Sequence, residues 1–138
     1  MTAALPPAGS GAGALAPADA ALLAAADEVA TRAYAPYSGF RVGAAVRARD
    51  GRVFAGCNVE NAAYPLTSCA ERTAVSRAVA EAGLVPGDLE AIAITASPCG
   101  GCRQWLAEFR VDRVVYRRED GSIALSTPAE LLPDTFRF

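Results

Sequence analysis

Thr67-Ser68-Cys69-Ala70-Glu71-Arg72, taken with Ser97-Pro98-Cys99-Gly100-Gly101-Cys102-Arg103, decides how the rest of the chain has to fold. Three thiols and a carboxylate in this spacing have chemistry to do only if they meet. Cys99 and Cys102 come from one turn of backbone, so Cys69 must be brought to them by a distant element. A structural zinc is closed by four protein ligands, whereas a catalytic one keeps three and leaves the fourth position for water or substrate. The chain has no His, so Cys69, Cys99 and Cys102 must supply all three ligands as thiolates. Thiolates in an open tetrahedral site favour zinc over harder ions, and one zinc per chain is expected. Zinc lowers the pKa of bound water to about 7. Glu71, two residues after a ligand, is placed to take that proton and pass it on as general acid and base. Three thiolates leave the first shell negatively charged. Arg72 is the nearest cation in sequence to offset this, helped by helix N-termini behind Cys69 and Cys99.

The same cysteines have two plainer readings. A C-x-x-C where a strand over residues 92–95 meets a helix is also the form of a thioredoxin-like redox pair, but that leaves Cys69-Ala70-Glu71 without a role. A closed four-cysteine zinc would need Cys57, the one remaining cysteine. On a strand Cys57 faces away from Asn58 and Glu60, and it is expected to be buried as a small hydrophobe.

Composition narrows the chemistry further. A chain of 138 residues fits one domain that buries about two-thirds of its unfolded surface. The formal charge is −2 and all 13 basic residues are Arg. Without Lys there is no Schiff base and no P-loop lysine, and without His there is no Ser-His-Asp or Cys-His triad. The arginines are scattered among acids rather than gathered in a stripe, so nucleic acid is not an expected partner and a small neutral substrate fits better. No run reaches about 18 apolar residues, so no membrane span is expected. Cysteines spaced for a metal rather than paired across loops point to a reducing, cytoplasmic compartment. Residues 1–17, uncharged and rich in Ala, Gly and Pro, are expected to form a disordered tail ahead of a domain over residues 18–138.

Within that domain, residues 18–33 are strongly helix-forming, with Leu22, Leu23, Ala26, Val29 and Ala30 on one stripe. Pro36 ends the helical stretch in an extended loop. Residues 40–49 and 52–58 flank Asp50-Gly51, which predicts an antiparallel hairpin. The i, i+2 spacing sends Asn58 and Glu60 the same way, and an amide with a carboxylate can serve a pair of sugar hydroxyls. After a loop over residues 62–66, Thr67 or Ser68 can cap a helix running from about residue 69 to 82, with Val75, Ala78 and Val79 as its apolar face and Gly83 as its stop. Residues 89–96 read as a central strand. A second metal-bearing helix spans residues 99–109, with Trp105 and Leu106 in the core. Residues 111–117 and 122–125 are strands around a turn at Gly121. Thr127-Pro128-Ala129-Glu130 starts a short helix ending near residue 132.

These motifs resemble, from about Tyr34 to Phe136, the small homotetrameric zinc-dependent cytidine deaminases of pyrimidine salvage. The agreement covers Tyr34-Ala35-Pro36-Tyr37-Ser38-Gly39-Phe40, Gly56-Cys57-Asn58-Val59-Glu60-Asn61-Ala62, Cys69-Ala70-Glu71-Arg72-Thr73-Ala74, Pro98-Cys99-Gly100-Gly101-Cys102-Arg103-Gln104 and Glu130-Leu131-Leu132-Pro133. The resemblance implies a three-layer α/β/α sandwich with a five-stranded mixed sheet. It implies hydrolysis of cytidine or deoxycytidine to the uridine and ammonia by a zinc-bound hydroxide, with Glu71 as proton shuttle. It also implies that Phe40 packs on the pyrimidine, Asn58 and Glu60 hold the ribose, and Ala70 offers a backbone group to the base. Tyr64 and Phe136 would reach a neighbouring subunit's site, and Arg72 would neutralise the thiolates. Gly101 stands where Ala is common and is expected to add flexibility; Asp134 and Thr135 replace smaller residues ahead of Phe136. A blasticidin-S-type deaminase shares C-A-E and P-C-G-x-C-R-Q, but the block from Asn58 to Ala62 reads as the nucleoside enzyme. A catalytically silent zinc scaffold would have no need of Glu71.

Overall fold

The computed structural model describes residues 15–138, so residues 1–14 of the expected tail lie outside the described residues. The first helix, α1 (Pro17–Ala30), opens on a proline, where no amide hydrogen is needed. Its stripe of Leu22, Leu23, Ala26 and Val29 is buried. The helix stops short of residue 33, because the amides of Thr31, Arg32 and Ala33 reach back only three residues, to Glu28, Val29 and Ala30.

Five strands form one sheet: β1 (Gly43–Ala48), β2 (Val53–Cys57), β3 (Leu89–Ile94), β4 (Arg113–Arg117) and β5 (Ile123–Ser126). Their order is β2-β1-β3-β4-β5. Only β3 and β4 are parallel, as a helical crossover between them requires; the other pairs are antiparallel. The expected hairpin joins β1 to β2, but β1 begins at Gly43 rather than residue 40. The polar groups that would extend it, Val42 N–H and Phe40 C=O, are taken by the Asn58 side chain.

Among the described residues three more α-helices follow, α2 (Ala70–Ala82), α3 (Gly100–Phe109) and α4 (Pro128–Leu131), and a 3₁₀ turn over Tyr64–Leu66 lies within the stretch expected to be a loop. On one face of the sheet, Leu22, Leu23 and Ala26 of α1 pack with Ala45, Ala93, Val115 and Ile123. On the other, Ala74, Val75 and Ala78 of α2 and Leu106 of α3 pack with Val46, Ile92, Ile94 and Val114. This is the three-layer sandwich, and it leaves β3 buried on both faces, which is why it reads as a nearly unbroken apolar run. Val79 departs from expectation at 40% exposed. It follows Ala78 by about 100° of rotation and falls off the buried stripe. Trp105 lies half-buried against the core that fully encloses Leu106.

Two glycines bring the helices down onto the hairpin. A Cβ at Gly43 would run into the Ala26 carbonyl of α1, and one at Gly56 into the Ala74 amide of α2. A buried acid also pins α1. Asp19 Oδ2 accepts from Arg113 Nε at 2.8 Å, and Oδ1 accepts from Arg113 Nη2 and Arg47 Nη2 at 2.9 Å each. At the other end, Thr127 and Glu130 form the reciprocal cap of α4. The tail beyond it lies along α3, where Gln104 Nε2 donates to the Phe136 carbonyl at 3.3 Å.

Candidate metal centre

Cys69 and Cys99 are the N-cap residues of α2 and α3, both in extended backbone and neither making a side-chain cap bond. Thr67 and Ser68 do not cap α2 as expected. The Thr67 hydroxyl accepts from Asn61 N at 3.2 Å, and the Ser68 hydroxyl pairs with that of Thr73 at 3.2 Å. A thiol thus stands where a capping oxygen would, and the positive ends of both helices face sulfur. Cys102 follows in the first turn of α3, fully buried, while Cys99 is exposed.

The three sulfurs lie within 4.8 Å of one another, with Cys69 Sγ and Cys99 Sγ 3.9 Å apart. Zinc held by sulfur at about 2.3 Å in a tetrahedron sets its ligands roughly 3.8 Å apart, so the donor set fits that ion with one position open. Cys57 is not in the group. It sits half-buried on β2, an edge strand, rather than fully enclosed as expected. The Cys69 thiol is drawn down to about 6, first by its hydrogen bond with Cys102, then by Cys99 and the charge of Arg72. The same pairing with Cys69, followed by burial, pushes the Cys102 thiol up.

Glu71, in the first turn of α2, is 4% exposed. Burial pushes its carboxyl up from the usual carboxylate value; its own backbone amide opposes this and the Cys69 charge adds to it. Arg72 Nε is buried with no hydrogen-bond partner among the described residues. Burial works against its charge, and the attraction of Cys102, Cys69 and Cys99 outweighs it. The guanidinium reaches this position by filling the space where a side chain at residue 101 would begin. Gly101 therefore does not loosen a loop, as expected; it lies inside the first turn of α3 and makes room for a cation.

The cluster opens on a cleft of about 270 Å³. Phe40, Asn58, Glu60, Tyr64 and Ala70 all line it, together with Glu71, Cys69 and Cys99. Asn58 and Glu60 also hold the loop carrying Phe40. Asn58 Oδ1 accepts from Val42 N and its Nδ2 donates to Phe40 O, both at 2.8 Å. Glu60 Oε1 accepts from Tyr37 N at 2.9 Å and Ser38 N at 3.1 Å, and Oε2 accepts from the Ser38 hydroxyl. That hydroxyl, more than the two amides, holds the Glu60 carboxyl below its ordinary value. Phe136 does not line this cleft; its ring meets Phe138 edge-on at 5.5 Å.

Sequence reasoning gave no place in the site to Ser38, Thr67 or Ser97, which also line the cleft, and no role to Arg103. Arg103 donates to Pro98 O at 2.9 Å, Leu131 O at 3.0 Å and Ser97 Oγ at 3.3 Å, tying the loop before Cys99 to α4. Its place in the motif over residues 98–104, next to Cys102, was the available signal.

Residues 17–118 match the family model described as the cytidine and deoxycytidylate deaminase zinc-binding region. The chain is 44% identical over 123 residues to a cytidine deaminase of Sporosarcina psychrophila, covering 83% of this chain and 88% of the relative. It is 47% identical over 112 residues to that of Halalkalibacterium halodurans, covering 75% and 83%. The fold superposes on the crystal structure of cytidine deaminase from Burkholderia pseudomallei with a TM-score of 0.78 and 46% identity, covering 84% of this chain and 97% of that one.

Proposed function

We propose, starting from the fact that this chain belongs to the cytidine and deoxycytidylate deaminase zinc-binding family, that it hydrolyses cytidine and deoxycytidine to uridine and deoxyuridine with release of ammonia. The observation that carries this is a buried carboxyl, Glu71, beside a three-sulfur cluster that opens on a cleft bearing Phe40, Asn58 and Glu60.

Cys69, Cys99 and Cys102 would hold the zinc, which when bound supplies Lewis acidity that brings the pKa of water to about 7. Glu71 takes a proton from the attacking water and delivers it to the ring nitrogen of the base. It then carries a second proton to the departing amine, so that water enters and ammonia leaves. The raised Glu71 carboxyl suits a group that must both accept and donate near neutral pH. Arg72 offsets the negative charge of the thiolates. Phe40 packs on the pyrimidine, the Ala70 backbone faces the base, and Asn58 and Glu60 take the sugar hydroxyls. Tyr64 is 83% and Phe136 68% exposed. We read both as groups that complete neighbouring sites in a homotetramer. Among the described residues no helix is long and apolar enough to cross a membrane. A thiolate site of this kind belongs in a reducing compartment, the cytoplasm.

The test is loss of cytidine absorbance in the ultraviolet on adding purified protein, with metal content read on the same sample. Turnover with about one zinc per chain is expected. Glu71→Gln should keep zinc and fold while kcat falls by about a thousandfold. Unchanged turnover in that variant would remove Glu71 from the mechanism.

A further inference from the structure

Phe40 and Glu60 stand on different segments, yet one hydroxyl touches both. Ser38 Oγ accepts from Phe40 N at 2.9 Å, which directs its own hydrogen to Glu60 Oε2. Gly39 between them, at φ +71°, supplies the turn that brings the Phe40 amide back onto the serine. Further along the chain, Asn58 holds the Phe40 carbonyl and the Val42 amide. The segment from Tyr37 to Val42 is therefore fastened by the two side chains that face the sugar. Each retains capacity for substrate, because a carboxylate oxygen accepts more than one bond and the amide has a second hydrogen and a second lone pair.

Resting on the reading of Glu60 and Phe40 as sugar- and base-contacting groups, we propose that Ser38 is a positioning residue. Its hydroxyl locks the carboxylate that receives the ribose to the backbone carrying the ring that receives the base. Sugar and base recognition are then set together rather than separately. Ser38 is exposed and lies outside the core, so its removal leaves the fold intact. What goes is the fixed geometry of two binding groups, and a loss of binding shared by ground and transition states raises KM and leaves kcat alone.

The experiment compares Ser38→Ala, Ser38→Thr, Glu60→Gln and the double variant Ser38→Ala/Glu60→Gln in steady-state kinetics on cytidine, using the zinc-loaded protein. Ser38→Ala should raise KM about tenfold with kcat within about twofold. Ser38→Thr keeps the hydroxyl and should stay within about threefold of the native KM. Because Ser38 acts through the Glu60 carboxylate, the double variant should cost clearly less than the product of the two single effects. A native KM in Ser38→Ala, failure of Thr to rescue, or full multiplicativity with Glu60→Gln overturns the proposal. If Glu60→Gln raises KM while Ser38→Ala does not, only the serine link fails. If Glu60→Gln itself leaves KM unchanged, the reading of Glu60 fails and the proposal with it.

Discussion

Asp19 lies on the buried stripe of α1 at 3% exposure, in step with Leu22, Leu23 and Ala26. Nothing in helical periodicity admits an acid there. Its partners, Arg47 and Arg113, are 28 and 94 residues away, so the contact that makes burial tolerable is invisible along the chain. The place of Glu71 in the cleft was readable for the opposite reason: it follows from the cysteine two residues before it. Hydrogen bonds from Arg113, then Arg47, hold the Asp19 carboxyl below its ordinary value of 3.8. A depressed acid contributes stability that is full above its unfolded pKa and is lost as pH falls through that value toward the folded one. Asp19→Asn should cost about 3 kcal/mol at pH 7, because it leaves two guanidinium groups without their counter-charge. The gap from native protein, measured by urea unfolding, should narrow below about pH 4.

Among the elements, α2 is placed by contact with β2 rather than by a cap. The hairpin, both metal-bearing helices and the α4 cap were legible, because turn residues, periodicity and capping pairs are local signals. The start of β1 was not, since the side chain of Asn58 intercepts Phe40 and Val42 from 16 or more residues away. Nor was the spacing of α2, which depends on Gly56 meeting the backbone of Thr73 and Ala74. A side chain there would push against backbone rather than a movable tip, and the displaced turn carries Cys69 and Glu71. Gly56→Ala should therefore lower stability by about 2 kcal/mol and also speed the release of zinc to a chromogenic chelator. Lost stability with a native release rate would show that the glycine serves packing alone.

At the scale of the whole molecule, the metal cluster was the most legible part, because three thiols have one chemically sensible meeting point. The far wall of the cleft was less so. Phe40 and Tyr64 line it yet stay largely exposed, and Phe136, also exposed, lies elsewhere on the same chain. If neighbouring subunits close this cleft, specific activity should fall on dilution in parallel with dissociation seen by sedimentation. Phe136→Ala should lower kcat/KM about tenfold with zinc content and thermal unfolding unchanged. Activity independent of concentration down to monomer would mean that each chain carries a complete site. The ion pair between Asp19 and Arg113 bears on how the protein is made. Ribosomes add about 5–20 residues per second, so the helix waits several seconds before the second of its two anchoring arginines exists. Ile123, which completes the cover over Leu22 and Leu23, comes later still. α1 can thus dock early on β1 and β2, where Arg47 already meets Asp19, but a nascent chain must shelter the rest of that oily stripe until the last strand emerges.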